Sequence, residues 1–182
     1  FIQDTIQNQI AEKLKQAFFY HLRYNPSPGE VNSWRNSLKA ICMIFHYANL
    51  LDHGVILEYQ LPLSSLRLDC MICGKDNALI DNAIIIELKQ WDKCKDADGE
   101  NEVITWVGGQ LKEVLHPSVQ VGRYKCYLED VHTAFYEDNP ISLFACTYLH
   151  NYKYYSSDII FSKKFEKCLN DYPLFTADDV EK

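Results

Sequence analysis

Apolar residues recur along the chain with two different periods, and the change of period separates a helical segment from a mixed one. Over residues 1–24 an apolar side chain returns at every fourth position, which predicts one amphipathic helix. Two prolines and a glycine in residues 25–29 interrupt this pattern. The helical period resumes over residues 30–51, where a second helix is predicted, and Asp52-His53-Gly54 ends it.

After residue 54 the pattern changes to short apolar runs that are bounded by turn residues. The elements predicted there are, in chain order, a strand at 55–59, a strand at 66–72, a strand at 83–90, a helix at 118–135, a strand at 141–149 and a short helix at 163–169. The polar residues 92–102 are predicted to form a loop, and Gly108-Gly109 a turn. This order of elements predicts an α/β fold with a mixed sheet flanked by helices.

The length of 182 residues suits one domain with a substantial core, predicted to cover residues 1–182. Within it we expect helices over residues 1–51, the sheet and its helices over 55–170, and a tail over 171–182. The chain begins without Met and ends in charged residues, which is compatible with a fragment that leads to a missing C-terminal domain. No apolar run approaches about 20 residues, and no signal-peptide pattern is present, so no membrane span is expected.

Charge and cysteine content narrow the class of protein further. The net charge of −7 argues against a large non-specific nucleic-acid surface, because such surfaces are basic. It does not exclude a nuclease, since a metal site adds acidic residues of its own. Seven cysteines, an odd number at irregular spacing, indicate reduced thiols and a cytoplasmic protein.

The most informative run is Ala83–Lys89, an apolar strand that ends in Glu87-Leu88-Lys89. Burial of a carboxylate and an ammonium group is costly, so such groups are usually paired with each other or bound to a metal. Strand alternation places Glu87 and Lys89 on one face, and Asp69 can converge with them if the preceding strand pairs with this one. Hard oxygen ligands of this kind suit Mg²⁺ or Mn²⁺. The alternative is a structural ion-pair network inside the sheet.

Three elements of the sequence resemble the PD-(D/E)XK nuclease superfamily: Asp69, the triplet Glu87-Leu88-Lys89, and Gln120-x-x-x-Tyr124 in the following helix. Leu68 stands where the superfamily has Pro. The resemblance implies a restriction-endonuclease-like sheet in which Asp69 and Glu87 bind the metal. It also implies that Lys89 orients or activates the attacking water and stabilises the transition state. Gln120 would position the substrate or Lys89.

The superfamily often adds an acidic residue from an earlier element, and Glu30 and Glu58 are the candidates for this further metal ligand. For Glu30 the alternative is an acidic residue favoured by the dipole at a helix N-terminus. Arg67, Tyr124 and His116 are the candidate contacts to the substrate. The alternative is packing of the helix for Tyr124 and a capping hydrogen bond for His116.

A closer resemblance covers most of the chain. It rests on five stretches: Glu30–Leu38, Glu58–Leu63, Ile86–Trp91, His116–Gln120 and Pro173–Asp179. Together they are similar to a bacterial family in which a nuclease-like region precedes a Schlafen-like P-loop helicase. No Gly-x-x-x-x-Gly-Lys-Ser/Thr occurs in this chain, so the resemblance implies a nuclease module without its motor, or a stand-alone relative.

We therefore expect a Mg²⁺-dependent nuclease that cleaves DNA in a bacterial cytoplasm, in nucleic-acid processing or in defence against foreign DNA. An RNA-cleaving enzyme is one alternative, because Schlafen-like proteins suggest RNA. A catalytically silent binding or regulatory module of a helicase is another, and the net charge of −7 supports it. The expected partners are nucleic acid, a helicase domain in the full-length protein and a second copy of the chain in a homodimer.

Overall fold

The computed structural model describes residues 1–180, which form two compact units. The first unit is Phe1–Asp52 and contains only helices, whereas the second begins at His53 and contains all of the described strands. The larger sheet of the second unit is mixed, so the predicted α/β fold with a mixed sheet is confirmed. Of the predicted tail 171–182, the last two residues lie outside the described part of the chain. No helix within residues 1–180 combines the length and the apolar character that crossing a bilayer requires.

Three helices build the first unit: α1 (Ile2–Ile6), α2 (Ile10–Leu22) and α3 (Pro28–Tyr47). The single helix predicted over residues 1–24 is wrong, because the backbone turns at Asn8, whose φ of 58° is left-handed. Asn tolerates this left-handed conformation better than most residues, which allows the break at this position. The apolar period runs on across the break and therefore does not reveal it. Helix α3 begins at Pro28 because the Ser27 hydroxyl accepts a hydrogen bond from the Glu30 N–H at 3.1 Å.

The second unit contains the strands and two further helices. The strands are β1 (Gly54–Gln60), β2 (Arg67–Lys75), β3 (Asp81–Lys89), β4 (Lys95–Asp96), β5 (Glu102–Val107), β6 (Gln110–Leu115), β7 (Ser142–Leu149) and β8 (Leu174–Thr176). The helices are α4 (Pro117–Val131) and α5 (Glu166–Asp171). The larger sheet has the strand order β1-β2-β3-β7-β8, with antiparallel pairs from β1 to β3 and parallel pairs from β3 to β8.

Helix α4 lies in the crossover between the parallel strands β3 and β7 and covers one face of the larger sheet. Its buried Val121 and Leu128 belong to the same apolar cluster as Ile85 of β3 and Ala145 of β7. Alternate residues of a strand share a face, so the odd-numbered residues of β3 and β7 point towards α4. The apolar cluster thus fixes which side chains of these two strands the helix covers.

The smaller sheet, in the order β4-β5-β6, comes between β3 and α4 in the chain. The loop predicted over residues 92–102 is wrong in part, because β4 and the first residue of β5 lie within it. Gly108 and Gly109 form the two-residue turn between β5 and β6, which confirms the predicted turn. Their φ values of 62° and 84° are both positive, as the favoured two-residue hairpin turn requires.

Candidate functional site

The backbone ladder between β2 and β3 ends one residue short of two acidic side chains. Cys70 opposite Ile86 is the last pair of this ladder, and Asp69 and Glu87 come next on their strands. Beyond that point the Asp69 carboxylate takes the place of a backbone acceptor, since its Oδ2 accepts the Leu88 N–H at 2.8 Å. The end of the ladder thus brings Asp69 to the strand segment that carries Glu87.

The two oxygens of the Glu87 carboxylate differ sharply in their surroundings. The residue is only 2% exposed and lies on the face that α4 covers. Its Oε1 accepts two hydrogen bonds, from Lys89 Nζ at 2.6 Å and from Gln120 Nε2 at 2.7 Å. Its Oε2 is buried and has no hydrogen-bond partner. One half of the carboxylate is therefore satisfied by the protein, and the other half is not.

Residues of β3 and α4 hold the satisfied oxygen in place. Gln120 and Tyr124 lie one helical turn apart, and Gln120 Nε2 also donates to the Tyr124 hydroxyl at 2.8 Å. Lys89 Nζ lies 5.6 Å from the ring centroid of Trp91, within the range of a cation–π interaction. The structure thus brings Asp69, Glu87, Lys89, Gln120 and Tyr124 together, and it adds Trp91, to which the sequence assigned no role of its own.

Burial and mutual charge shift the pKa values of the three ionisable groups at the centre. Burial, together with the Asp69 charge, raises the pKa of Glu87 to about 7 against the opposing effect of Lys89. Burial also raises the pKa of Asp69, while Lys89 acts in the opposite direction. Burial alone would lower the pKa of Lys89, but the two carboxylates raise it above its ordinary value. Lys89 acts on both carboxylates and the Arg67 charge acts on Asp69 as well, so two cations partly balance the acidic groups of the cluster.

Glu58 and Arg67 form an ion pair at the same end of the sheet, and the Arg67 charge also lowers the pKa of Asp69. The Arg67 Nε lies 2.5 Å from Glu58 Oε2. Glu58 has a left-handed φ of 53° and is missing from a ladder that pairs the residues on either side of it. No group of three or more His, Cys, Asp or Glu side chains that could hold a metal is found among residues 1–180. Glu58 therefore does not join Asp69 and Glu87 as a third ligand in this arrangement.

His116 occupies a different environment from the one its predicted contact with substrate requires. It is completely buried, and its ring stacks on Phe165 at a centroid distance of 4.1 Å. Its Nδ1 accepts the Ser118 N–H at 3.2 Å, and its Nε2 lies 3.0 Å from the Ile160 carbonyl oxygen. Burial lowers its pKa to about 4, so the ring is neutral at physiological pH. This is the capping alternative, and it leaves neither nitrogen free for a phosphate.

Glu30 lies in the first unit, in the first turn of α3, where its N–H donates to Ser27. This position agrees with the alternative of an acidic residue at a helix N-terminus, and its role as a metal ligand stays a prediction.

A residue that the sequence did not single out is Thr147 of β7. It stands opposite Glu87 in the parallel register, is completely buried, and has a hydroxyl without a hydrogen-bond partner. Its signal in the sequence is one hydroxyl inside the apolar run Leu143–Leu149.

The oxygen donors of this cluster fit a hydrated divalent cation. Mg²⁺ keeps several waters and commonly takes only one or two protein carboxylates, which Asp69 and Glu87 supply. The unpartnered Glu87 Oε2 is the kind of atom that such an ion satisfies. A structural zinc ion does not fit, because it requires four ligands, usually of nitrogen and sulfur.

Comparisons of the chain with protein-family models, with curated proteins and with solved structures find no match. The chemical role of the site is therefore inferred from its geometry and from the motif that the sequence carries.

Proposed function

We propose that this protein is a Mg²⁺- or Mn²⁺-dependent nuclease that hydrolyses phosphodiester bonds. The observation that carries the proposal is Glu87 Oε2, a buried oxygen without a donor on a carboxylate whose other oxygen has two. An unsatisfied buried group costs on the order of 1–3 kcal/mol, and more when it is charged. A cation that binds there removes this cost, and the resemblance to the PD-(D/E)XK superfamily supports the same assignment.

Each residue of the cluster has a role that follows from its contacts. Asp69 and Glu87 would hold the cation, which would polarise a phosphoryl group and lower the pKa of a water ligand. Lys89 is held at Glu87 Oε1, beside the proposed cation, and its side chain is 17% exposed. There it stabilises the negative charge that develops on the phosphoryl oxygens.

Gln120 and Tyr124 act on Glu87 rather than on the substrate. Gln120 fixes the orientation of the Glu87 carboxylate, and the Tyr124 hydroxyl fixes the amide of Gln120. Tyr124 is 6% exposed, so packing and this hydrogen bond account for its position better than contact with nucleic acid. Arg67 is the remaining candidate for a phosphate contact, because its side chain is 27% exposed beside Glu58.

The finer proposal is that the substrate is DNA, with RNA as the alternative, and that the reaction takes place in a bacterial cytoplasm. The resemblance to a family that joins a nuclease-like region to a Schlafen-like helicase supports this setting. It also supports a helicase as the partner, and a role in processing nucleic acid or in defence against foreign DNA.

A cleavage assay on circular double-stranded DNA, single-stranded DNA and RNA tests the proposal. We expect cleavage with Mg²⁺ or Mn²⁺ and none in EDTA. Glu87→Gln and Lys89→Met are expected to lower the rate by about 10²–10⁴-fold. Glu129→Gln is the matched control, since Glu129 pairs with Lys125 at 2.5 Å on α4 and is not part of the cluster. Equal rates in wild type, Glu87→Gln and Glu129→Gln would contradict the proposal.

The second candidate is a catalytically silent nucleic-acid-binding module, and one observation favours its lack of catalysis. Lys89 already lies 2.6 Å from Glu87, so the cluster resembles a closed ion pair that needs no metal. This candidate predicts nucleic-acid binding without cleavage under all metal conditions. It also predicts that Glu87→Gln and Lys89→Met leave that binding unchanged, which the same set of variants measures.

A further inference from the structure

Thr147 and Glu87 occupy neighbouring positions on adjacent strands. They stand opposite each other in the parallel register of β3 and β7, two residues after the pair Ile85 and Ala145. Opposite residues in such a register project to the same face, and the preceding pair packs in the cluster under α4. The Thr147 side chain therefore lies beside Glu87 in the space between the sheet and α4.

Both side chains carry a buried oxygen without a hydrogen-bond partner, Glu87 Oε2 and Thr147 Oγ1. The hydroxyl groups of the other buried threonines all donate hydrogen bonds: Thr5 to Phe1 O, Thr105 to Lys93 O and Thr176 to Asp179 Oδ2. Unpartnered hydroxyls also occur at Ser118 and Ser162. An unpartnered hydroxyl alone therefore does not indicate a role, and Thr147 differs because it lies next to a carboxylate with an unpartnered oxygen.

We infer that Thr147 is a positioning residue of the candidate metal site, a conclusion that rests on the proposed function. Glu87 Oε2 would hold a hydrated divalent cation, and the Thr147 hydroxyl would hydrogen-bond to its water and so position it. No hydrogen bond joins these two oxygens, so each retains its capacity to bind a water or an ion. A hydroxyl suits this position because it both donates to and accepts from water.

Binding of Mn²⁺ alone, followed by the electron paramagnetic resonance of the free ion, tests this inference without any activity measurement. We expect Thr147→Val, which keeps the shape and removes the hydroxyl, to weaken Mn²⁺ binding by about tenfold. Thr147→Ser is expected to bind within about twofold of wild type, because it restores the hydroxyl. Ser162→Ala, which removes an unpartnered hydroxyl elsewhere, is expected to leave the affinity unchanged.

Thermal unfolding in EDTA separates this role from a structural one. Thr147→Val is expected to keep or raise Tm, because it removes a buried hydroxyl that no protein group satisfies. Thr105→Val is the matched control: its hydroxyl donates to Lys93 O at 2.8 Å, so Tm is expected to fall by about 3 °C without a change in Mn²⁺ affinity.

Three results would overturn the inference, and they point to different errors. If wild type binds Mn²⁺ and Thr147→Val binds it equally well, Thr147 has no role at the site and the proposed function stands. If Thr147→Val lowers Tm in EDTA as Thr105→Val does, its hydroxyl serves the fold. If wild type binds no Mn²⁺, or Glu87→Gln binds it as tightly as wild type, the metal site itself is wrong.

Discussion

Two buried polar side chains contact helix α4 near its start, and they differ in whether all of their polar atoms have hydrogen-bond partners. His116 and Glu87 are 0% and 2% exposed. Both nitrogens of His116 have partners, and burial keeps the ring neutral by lowering its pKa. Glu87 has an oxygen without a partner and a neighbouring carboxylate. The fold satisfies both nitrogens of His116, whereas it leaves one oxygen of Glu87 without a partner, beside a second carboxylate, and a bound ion would satisfy that oxygen.

The largest expected effect comes from Glu87→Gln, which keeps the shape of the side chain and removes its charge. We expect phosphodiester cleavage to fall by about 10³-fold, because the cation loses a charged ligand. The free energy of unfolding without metal is expected to change far less, since Gln still accepts a hydrogen bond at the same position. Cleavage kinetics and urea unfolding in EDTA measure the two quantities. A Glu87→Gln variant that loses stability but cleaves at the wild-type rate would show that Glu87 serves the fold and not the site.

His116→Ala is expected to show the opposite behaviour. It removes a buried ring, its contact with Phe165 and the cap of α4, which together stabilise the fold by about 3 kcal/mol. Cleavage at a temperature where the variant remains folded is expected to stay near that of wild type. Urea unfolding and cleavage rates on the same sample test this. Full stability with lost cleavage would instead make His116 part of the site.

The lowered pKa of His116 also predicts how stability depends on pH. In the folded state the ring stays neutral down to about pH 4, whereas in the unfolded chain it takes up a proton near its ordinary pKa of about 6.5. The unfolded state binds more protons in this window, so stability is fully present above it and falls as pH decreases.

We expect His116 to account for a loss of about 2 kcal/mol between pH 6.5 and pH 5. Urea unfolding of wild type and His116→Gln across this range measures it. The variant is expected to be less stable at pH 7 but to lose less stability on acidification. Parallel pH curves would show that the His116 ring does not stay neutral.

The smallest expected effect is that of Tyr124→Phe, which removes only the hydroxyl that accepts from Gln120. Gln120 keeps its bond to Glu87, so we expect cleavage to fall by about fivefold, equivalent to about 1 kcal/mol. Tyr127→Phe is a control on the same helix, because its hydroxyl donates to the Pro62 carbonyl oxygen outside the cluster. If both variants cleave equally, the bond from Gln120 to Tyr124 has no bearing on the site.

The central strands and the shared face of Glu87 and Lys89 follow from local patterns in the sequence, whereas the resemblance to the PD-(D/E)XK superfamily implied that Gln120 joins them. An apolar run that ends in two charges predicts a buried strand, and the four-residue spacing of Gln120 and Tyr124 predicts one helix face. These features depend on residues close in the chain, so periodicity reveals them. Strands β2 and β3 are also neighbours in the chain, which makes their pairing the simplest expectation.

Features that depend on tertiary contacts could not be predicted in this way. Strand β6 reads Gln-Leu-Lys-Glu-Val-Leu, in which apolar and polar residues do not alternate, and only its pairing with β5 defines it. Three-residue β8 is defined by its partner β7. The burial of His116 depends on Phe165 and Ile160, which lie far along the chain. The sequence cannot show that Glu87 Oε2 lacks a partner, because this follows from the positions of all its neighbours.

The most direct test of the metal site is X-ray diffraction from crystals soaked in Mn²⁺, measured where manganese scatters anomalously. The account predicts an anomalous peak in contact with Asp69 and with Oε2 of Glu87, while Oε1 keeps its hydrogen bonds to Lys89 and Gln120. Soaked crystals of Glu87→Gln are expected to lack the peak. A wild-type crystal with no peak at these carboxylates, and with Lys89 still paired to Glu87, would contradict the account.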